Sequence, residues 1–244
     1  MTTCQYKIIL KITSFFENSN LNLDFGSCST TNDGQGISAG FIQFTTCSGS
    51  AALVCREYQR LKSGPTFCDT YLPSLDHAAN SCQGGNWGQQ TPAGLENFCY
   101  DWRTASTDTI FQQAQLNVQF SGYFKPAMDI FTQYGVKSPL TMGQVYDACV
   151  QLGCSAAATL ADRASRYAGG SPAGSNPVSE DRWLNAYLIQ RESYLDFLGG
   201  AYAATKYRVR AYFSMQTNPT FVNDWVVMNV LYDNGSTDRE TITC

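Results

Sequence analysis

Apolar residues recur at helical spacing near the start of the chain. Between residues 5 and 16, Ile8, Ile12 and Phe15 follow one another at intervals of four and three. This spacing places the three side chains on one face and predicts an amphipathic helix. We expect Glu17, which follows the apolar run, to close that helix.

Further helices are predicted along most of the chain. Val54, Tyr58 and Leu61 lie in helical register within residues 52–61, and Gly64-Pro65 then ends the segment. The other predicted helices are residues 101–120, a helix opened by Pro126 and closed by Gly135, residues 141–152 and 156–167, a helix capped by Ser179, and residues 202–215.

Strands and loops are predicted mainly from composition. Residues 36–46 contain the Gly, Phe and Thr of short strands around a turn, and residues 225–232 predict a closing strand or an extended tail. Residues 79–96 are rich in Gly and Asn and predict a loop, in which Trp87 either lines a ligand groove or pins the loop to the core. Residues 169–177 predict a flexible segment. Together these elements predict an α+β fold that is mainly α.

Glu17 and Asp33 form a pair of carboxylates suited to different roles. A carboxylate at a helix C-terminus faces the negative end of the macrodipole, and Phe15 and Phe16 can help desolvate it, which suits a general acid. Asp33 precedes Gly34 in a segment rich in Ser, Thr and Asn, whose donors can bind an ionised carboxylate, which suits a general base. Hydrolysis of a glycosidic bond needs such a pair. The alternative is a solvated helix end and an ordinary Asx turn.

An ordered series of short motifs surrounds and follows these carboxylates. It begins with Glu17-Asn18-Ser19, Asn32-Asp33-Gly34-Gln35-Gly36-Ile37-Ser38-Ala39-Gly40 and Phe44. It continues with Asp101-Trp102, residues 108–115, Tyr146-Asp147-Ala148, and residues 184–188 with Arg191. The series resembles the chitosanases of glycoside hydrolase family 46 and extends over roughly residues 5–210. Because the motifs occur in the same order as in the family, the series is more specific than a lone Asp-Gly-x-Gly.

The resemblance implies an inverting endo-hydrolase of chitosan, the β-1,4-linked glucosamine polymer. It also implies a lysozyme-like fold in which residues 1–244 form a single catalytic domain of two lobes separated by a substrate cleft, with a small β-hairpin or sheet beside the cleft. By the same resemblance, Glu17 is the general acid and Asp33 is the base that activates water. Ser38 stands where the family usually has a Thr that orients the water, and the serine keeps the hydroxyl.

A supporting network is implied behind the acid. Asp147 and Arg191 match two of its ion-paired residues. Either Arg208 or Arg210 matches the third. Buried Arg–carboxylate pairs can rigidify a site and perturb a neighbouring acid. The alternative is a stabilising network with no catalytic duty.

Two departures from the family affect substrate recognition. Gln35 stands where members commonly carry Arg, and Ser50 stands where an Asp binds glucosamine. Loss of a charge-assisted hydrogen bond costs about 1.5–3 kcal/mol, so recognition of the substrate amine should be weaker at one subsite. We therefore expect the reaction type to follow the family more closely than the substrate preference.

Charge and cysteine content fit an extracellular polysaccharide hydrolase. The net charge of -4 argues against a nucleic-acid partner and favours a cationic one such as chitosan or a chito-oligosaccharide. Ten cysteines predict up to five disulfides, because Cys-x-x-Cys pairs of a zinc site are missing from the sequence. No apolar run suggests a membrane span. We expect a secreted monomer without metal or cofactor, and a mature form with Met1 added or retained, since Lys7 and Lys11 interrupt any signal-like run.

Other functions find less support. The one histidine, His77, lacks a nearby nucleophile pattern and is expected to be a surface or capping residue. Three hypotheses remain open: an inverting chitosanase, a lysozyme-like or mixed-specificity hydrolase of N-acetylated polysaccharide, and a binding module with a decayed site. Because both carboxylates are present, the third is disfavoured.

Overall fold

The computed structural model describes residues 1–30, 34–82, 93–216, 221 and 224–244. Helices of the described residues are α1 (Thr3–Asn18), α2 (Ser50–Leu61), α3 (Cys68–Cys82), α4 (Phe98–Ala105), α5 (Thr109–Gln119), α6 (Lys125–Tyr134), α7 (Pro139–Leu152), α8 (Cys154–Ala168), α9 (Glu180–Leu198), α10 (Gly200–Ala203) and α11 (Lys206–Gln216), with a π-helical turn at Phe120–Phe124. Strands are β1 (Cys28–Thr30), β2 (Ile37–Ala39), β3 (Phe44–Thr45), β4 (Trp225–Leu231) and β5 (Thr237–Thr243). The expected α+β class, mainly α, is confirmed.

The chain divides into two compact units. The first comprises Met1–Phe16 and Tyr123–Cys244, and the second comprises Glu17–Gly122. Most of α1 thus belongs to the first unit, and its last two residues belong to the second.

The first unit is a helical assembly with a terminal hairpin. The predicted apolar face of α1 is confirmed, because Ile8, Ile12 and Phe15 are all buried. Pro126 lies in the first turn of α6, and Gly135 ends that helix in the left-handed conformation, as predicted. Ser179 caps α9 by accepting a hydrogen bond from the Arg182 N–H at 3.3 Å.

The terminal hairpin pairs β4 with β5 in antiparallel register and packs against α11. Val226, Met228 and Val230 of β4 are fully buried, whereas most of β5 is exposed. The predicted strand at 225–232 is therefore confirmed. Strand β5 was not predictable from the sequence pattern, because its polar residues face solvent.

The second unit contains a three-stranded antiparallel sheet in the order β1-β2-β3. Its helices pack around an aromatic core in which Trp102 and Phe111 are fully buried, with ring centroids 4.8 Å apart in an edge-to-face arrangement. The Trp102 indole N–H donates to the Phe25 carbonyl at 2.9 Å, which ties α4 to the segment before β1. The predicted short strands at 36–46 are confirmed as β2 and β3.

The single helix predicted at 101–120 is wrong. The structure has α4 and α5 instead, separated by residues 106–108. Asp108 starts the second helix, because its carboxylate accepts the Ile110 N–H at 2.9 Å.

Two other element boundaries differ from the predicted ones. Residues 79–82, predicted as loop, form the last turn of α3, and the rest of that predicted loop up to residue 92 lies outside the described residues, including Trp87. The helix predicted at 202–215 is divided into α10 and α11. His77 is exposed on α3, as expected of a surface residue.

All ten cysteines form disulfides, which confirms the prediction of five. The pairs are Cys4–Cys244, Cys28–Cys99, Cys47–Cys82, Cys55–Cys68 and Cys149–Cys154. Cys28–Cys99 ties β1 to α4, so this bridge stiffens the start of the small sheet. Among the helices of the described residues, none has the length and hydropathy needed to cross a membrane.

Candidate active site

The end of α1 presents Glu17. Glu17 is half-buried and is the penultimate residue of the helix, where the last carbonyls have no intrahelical partner. Its own carbonyl oxygen accepts a hydrogen bond from Gln43 Nε2 at 2.7 Å. The predicted helix-closing position of Glu17 is confirmed, while its role as a general acid stays a prediction.

Ser38 occupies the middle strand of the small sheet. It is opposite Ser29 of β1 and Thr45 of β3, and only 3% of its surface is exposed. Asp33, the expected general base, lies outside the described residues. The roles of both residues therefore stay predictions.

Gln35 and Ser50, the two departures from the family, lie on either side of β2 and β3 in the chain. The Gln35 carbonyl accepts the Cys47 N–H at 3.2 Å, and its side chain is half-buried. Ser50 is buried at the start of α2, where its hydroxyl accepts the Thr45 N–H at 2.9 Å. The Ser50 hydroxyl thus binds the end of β3 to α2, and substrate contact by either residue stays a prediction.

The expected ion network forms within the first unit. Asp147 on α7 is fully buried, and its Oδ2 accepts from Arg191 Nη2 at 2.7 Å while its Oδ1 accepts from Arg208 Nη2 at 2.7 Å. Burial by itself raises the pKa of Asp147, but the Arg208 and Arg191 guanidinium groups outweigh it and hold the pKa below its ordinary value. The carboxylate is therefore ionised between two cations.

The structure selects Arg208 over Arg210 as the second cation. Arg208 is 4% exposed and binds Asp147, whereas Arg210 pairs with Glu192 and Asp233 near the surface. The geometry of the three-residue network is thus as expected from the resemblance. Its influence on catalysis stays a prediction.

Thr13 joins this network and was not identified from the sequence. Its hydroxyl donates to Asp147 Oδ1 at 3.1 Å, and the residue is fully buried. Thr13 precedes Glu17 by four residues and so lies on the same face of α1. A polar residue inside an apolar helical stripe, one turn before a candidate acid, is the signal that points to it.

Two further contacts extend the network. Gln151 Oε1 accepts from Arg191 Nη2 at 2.5 Å, and Gln151 Nε2 donates to Thr205 Oγ1 at 2.6 Å, which connects α7 to the start of α11. The Arg208 guanidinium lies 5.3 Å from the centre of the Phe16 ring, a cation–π contact. No sequence signal locates Gln151, because its partner Arg191 is 40 residues away in the chain.

Within the described ranges, no three His, Cys, Asp or Glu side chains are grouped so that they could hold a metal ion.

Comparison with known proteins agrees with the resemblance. A family model described as glycosyl hydrolase family 46 matches residues 11–215. A chitosanase of Bacillus subtilis (strain 168) is 29% identical over 185 residues, which are 74% of this chain and 64% of that protein. A chitosanase of Streptomyces sp. (strain N174) is 32% identical over 151 residues, 60% of this chain and 50% of that protein. The chain thus matches between half and two thirds of the length of these relatives.

Solved structures match almost the whole chain. A mutant chitosanase of Bacillus subtilis MY002 complexed with 6 GlcN has a TM-score of 0.83 and 25% identity, covering 98% of this chain and 99% of that one. A family 46 chitosanase of Gynuella sunshinyii in complex with chitotetraose has a TM-score of 0.83 and 26% identity, covering 99% of both chains. These matches confirm the expected lysozyme-like fold.

Proposed function

This chain belongs to glycosyl hydrolase family 46, and from that premise we propose that it is a chitosanase, an endo-acting enzyme that cleaves the β-1,4 bonds of chitosan with inversion at the anomeric carbon. The observation that carries the proposal is the family match over residues 11–215, within which Glu17 lies in the last turn of α1. Two solved relatives are complexes with 6 GlcN and with chitotetraose, which supports a glucosamine oligomer as the substrate class.

The proposed reaction divides proton transfer between two carboxyl groups. Glu17 donates a proton to the oxygen of the leaving sugar, and Asp33 takes a proton from the water that attacks the anomeric carbon from the opposite face. Because the water adds directly, no covalent sugar–enzyme intermediate forms and the new hydroxyl has the α configuration. The Ser38 hydroxyl helps to orient the water.

The proposed role of the Asp147 network is to hold the acid helix in place. Thr13, one turn before Glu17, donates to the same carboxylate that binds Arg191 and Arg208. Because the ion-paired groups and the Thr13 hydroxyl bound to them are all buried, they resist displacement of α1. A helix held in this way keeps its last turn in register for proton donation.

The decisive experiment measures reducing-end release from chitosan and follows the anomer by NMR. Glu17→Gln and Asp33→Asn keep side-chain size and remove the proton-transferring group, so each should lower kcat by about 10²–10⁴-fold. Fresh wild-type product should be the α anomer. Full activity in both variants, with circular dichroism spectra like the wild type, would exclude this mechanism, and an initial β anomer would exclude inversion.

A second substrate class has a specific observation in its favour. Ser50 supplies a hydroxyl that already binds the Thr45 N–H, where the family is expected to supply a carboxylate for the substrate amine. A subsite without this carboxylate depends less on a charged amine. A lysozyme-like or mixed-specificity hydrolase with such a subsite could therefore accept N-acetylated sugars. Parallel assays on fully deacetylated chitosan, partly acetylated chitosan, chitin oligomers and peptidoglycan would decide between the two classes.

We further propose that the enzyme is secreted and acts as a monomer. Five disulfides are characteristic of proteins that fold in an oxidising compartment. Light scattering of the oxidised protein should give a mass near 26.9 kDa. A mass near twice that value would reject the monomer.

A further inference from the structure

A side-chain clamp holds the last turn of α1 to the β2–β3 turn. Gln43 Nε2 donates to the Glu17 carbonyl at 2.7 Å and lies 3.3 Å from Asn18 Oδ1. Asn18 Nδ2 in turn donates to the Phe41 carbonyl at 2.8 Å. The clamp, Gln43 and Asn18, therefore joins the two segments by hydrogen bonds in both directions.

Gln43 adopts a backbone conformation that its residue type disfavours. Its φ is +56°, in the left-handed region that is unfavourable for any residue with a Cβ atom. Such a conformation persists only where the surrounding structure maintains it, and it recurs at functional sites. Here it coincides with the placement of the Gln43 amide on the Glu17 carbonyl, in the last turn of α1.

The turn that carries Gln43 is itself firmly placed. The Gln43 N–H donates to the Gly40 carbonyl at 3.0 Å, and Phe41 and Ile42 between them are buried. The turn begins directly after β2, the strand that contains Ser38. A rigid turn with a fixed amide can therefore set the position of the Glu17 backbone relative to β2.

We propose that Gln43 is a positioning residue for catalysis: its side-chain amide fixes the helix turn of the acid Glu17 against the strand of Ser38. The inference rests on the proposed function, in which Glu17 donates the proton. Without the amide, the last turn of α1 frays and Glu17 samples unproductive positions, so kcat falls while substrate binding by the rest of the site is kept.

Two variants separate the effect of the side-chain amide from the effect of the disfavoured backbone conformation. Gln43→Met keeps a similar length and the disfavoured φ but removes the donor. Gln43→Gly also removes the donor, yet it relieves the backbone, so its melting temperature should stay close to that of the wild type. Both should lower kcat on chitosan about tenfold with KM within about twofold. Wild-type kcat in either variant would overturn the proposal.

Ser19 offers a matched control. It is exposed, and its φ of +52° is as disfavoured as that of Gln43. Ser19→Gly therefore relieves a left-handed backbone next to the clamp without removing the amide. Its kcat should equal that of the wild type, and a tenfold loss would overturn the proposal, because backbone mobility alone would then explain the effect.

Hydrogen exchange tests the clamp without reference to activity. Amides of residues 15–18 should exchange at least about tenfold faster in Gln43→Met than in the wild type or in Ser19→Gly, because the last turn opens more often. If wild-type protein fails to cleave chitosan, the proposed function is rejected while this measurement still decides the clamp. Unchanged exchange in Gln43→Met would reject the clamp even in an active enzyme.

Discussion

Asp147 and Arg191 form an ion pair in which neither side chain is exposed to solvent, with Oδ2 and Nη2 2.7 Å apart. Arg208 binds the other carboxylate oxygen, so one buried anion faces two buried cations. Burial of charged groups costs desolvation free energy, and the ion pairs offset this cost only while every partner stays in place. The network should therefore fail as a unit when one member is neutralised.

Asp147→Asn should destabilise the protein by about 3–5 kcal/mol, because it removes the buried carboxylate charge that pairs with Arg191 and Arg208. Urea unfolding followed by circular dichroism would measure the change. Asp129→Asn is the control, since Asp129 is exposed on α6 and its substitution should stay within about 0.5 kcal/mol. Equal effects of the two substitutions would contradict a stabilising network.

Stability should depend on pH through Asp147. Its folded-state pKa is lowered, so its contribution is fully present above the unfolded value of about 4 and is lost as pH falls through the lower folded value. The free energy of unfolding should accordingly fall as the pH drops below about 4, and the wild type should lose more than Asp147→Asn does. Parallel curves for the two proteins would show that other groups control acid unfolding.

Thr13→Val should cost about 1.5–3 kcal/mol, the usual contribution of a hydrogen bond to a charged group. The substitution keeps the branched shape and removes the hydroxyl that donates to Asp147. Thr141→Val is a matched control in the same unit, because the buried Thr141 hydroxyl has no hydrogen-bond partner among the residues that the structure describes. Chemical denaturation of both variants would test this difference, and Thr13→Ser should recover most of the loss.

Elements with strong local signals were predictable from the sequence. The apolar stripe Ile8, Ile12 and Phe15 defined α1, and Ser179 marked the start of α9. The break between α4 and α5 was not predictable from periodicity, because it depends on one Asp108 side chain capturing a backbone N–H. The polar strand β5 was missed because strand patterns rely on buried alternation.

Only part of the candidate site could be predicted from the sequence, and the reason is physical. Glu17 follows a helical pattern, so its place at a helix end could be inferred locally. Asp147, by contrast, is 44 residues from Arg191 and 61 from Arg208 in the chain, and no spacing rule connects three separate helices. The ordered resemblance supplied that grouping, whereas Gln43 became visible only through its contacts.

Two disulfides should differ in their contribution to stability. Cys4–Cys244 closes a loop with a sequence separation of 240, and the chain-entropy relation gives it about 5 kcal/mol. Cys149–Cys154 has a separation of 5, for which the same relation gives about 2 kcal/mol. Paired Cys→Ser substitutions at each bridge, compared by denaturant unfolding, would measure the difference. A larger loss at Cys149–Cys154 would contradict an entropic origin.

Gly40→Ala should destabilise the second unit by more than about 1 kcal/mol, because strain and a steric clash coincide there. The φ of Gly40 is +77°, and an added Cβ would lie 2.4 Å from Gln115 Oε1. Gln115 cannot easily retreat, since its Nε2 donates to the Phe25 carbonyl at 3.0 Å and the side chain is fully buried.

Gly64→Ala separates the two causes. Its φ of +90° is similarly disfavoured, but an added Cβ would meet no atom within 4 Å. Strain alone should then account for its loss of stability, and the excess at Gly40→Ala would measure the clash with Gln115. Thermal unfolding of both variants gives the comparison. Equal losses would mean that the Gln115 side chain moves aside, and the Gly40–Gln43 turn would then be less rigid than its buried contacts indicate.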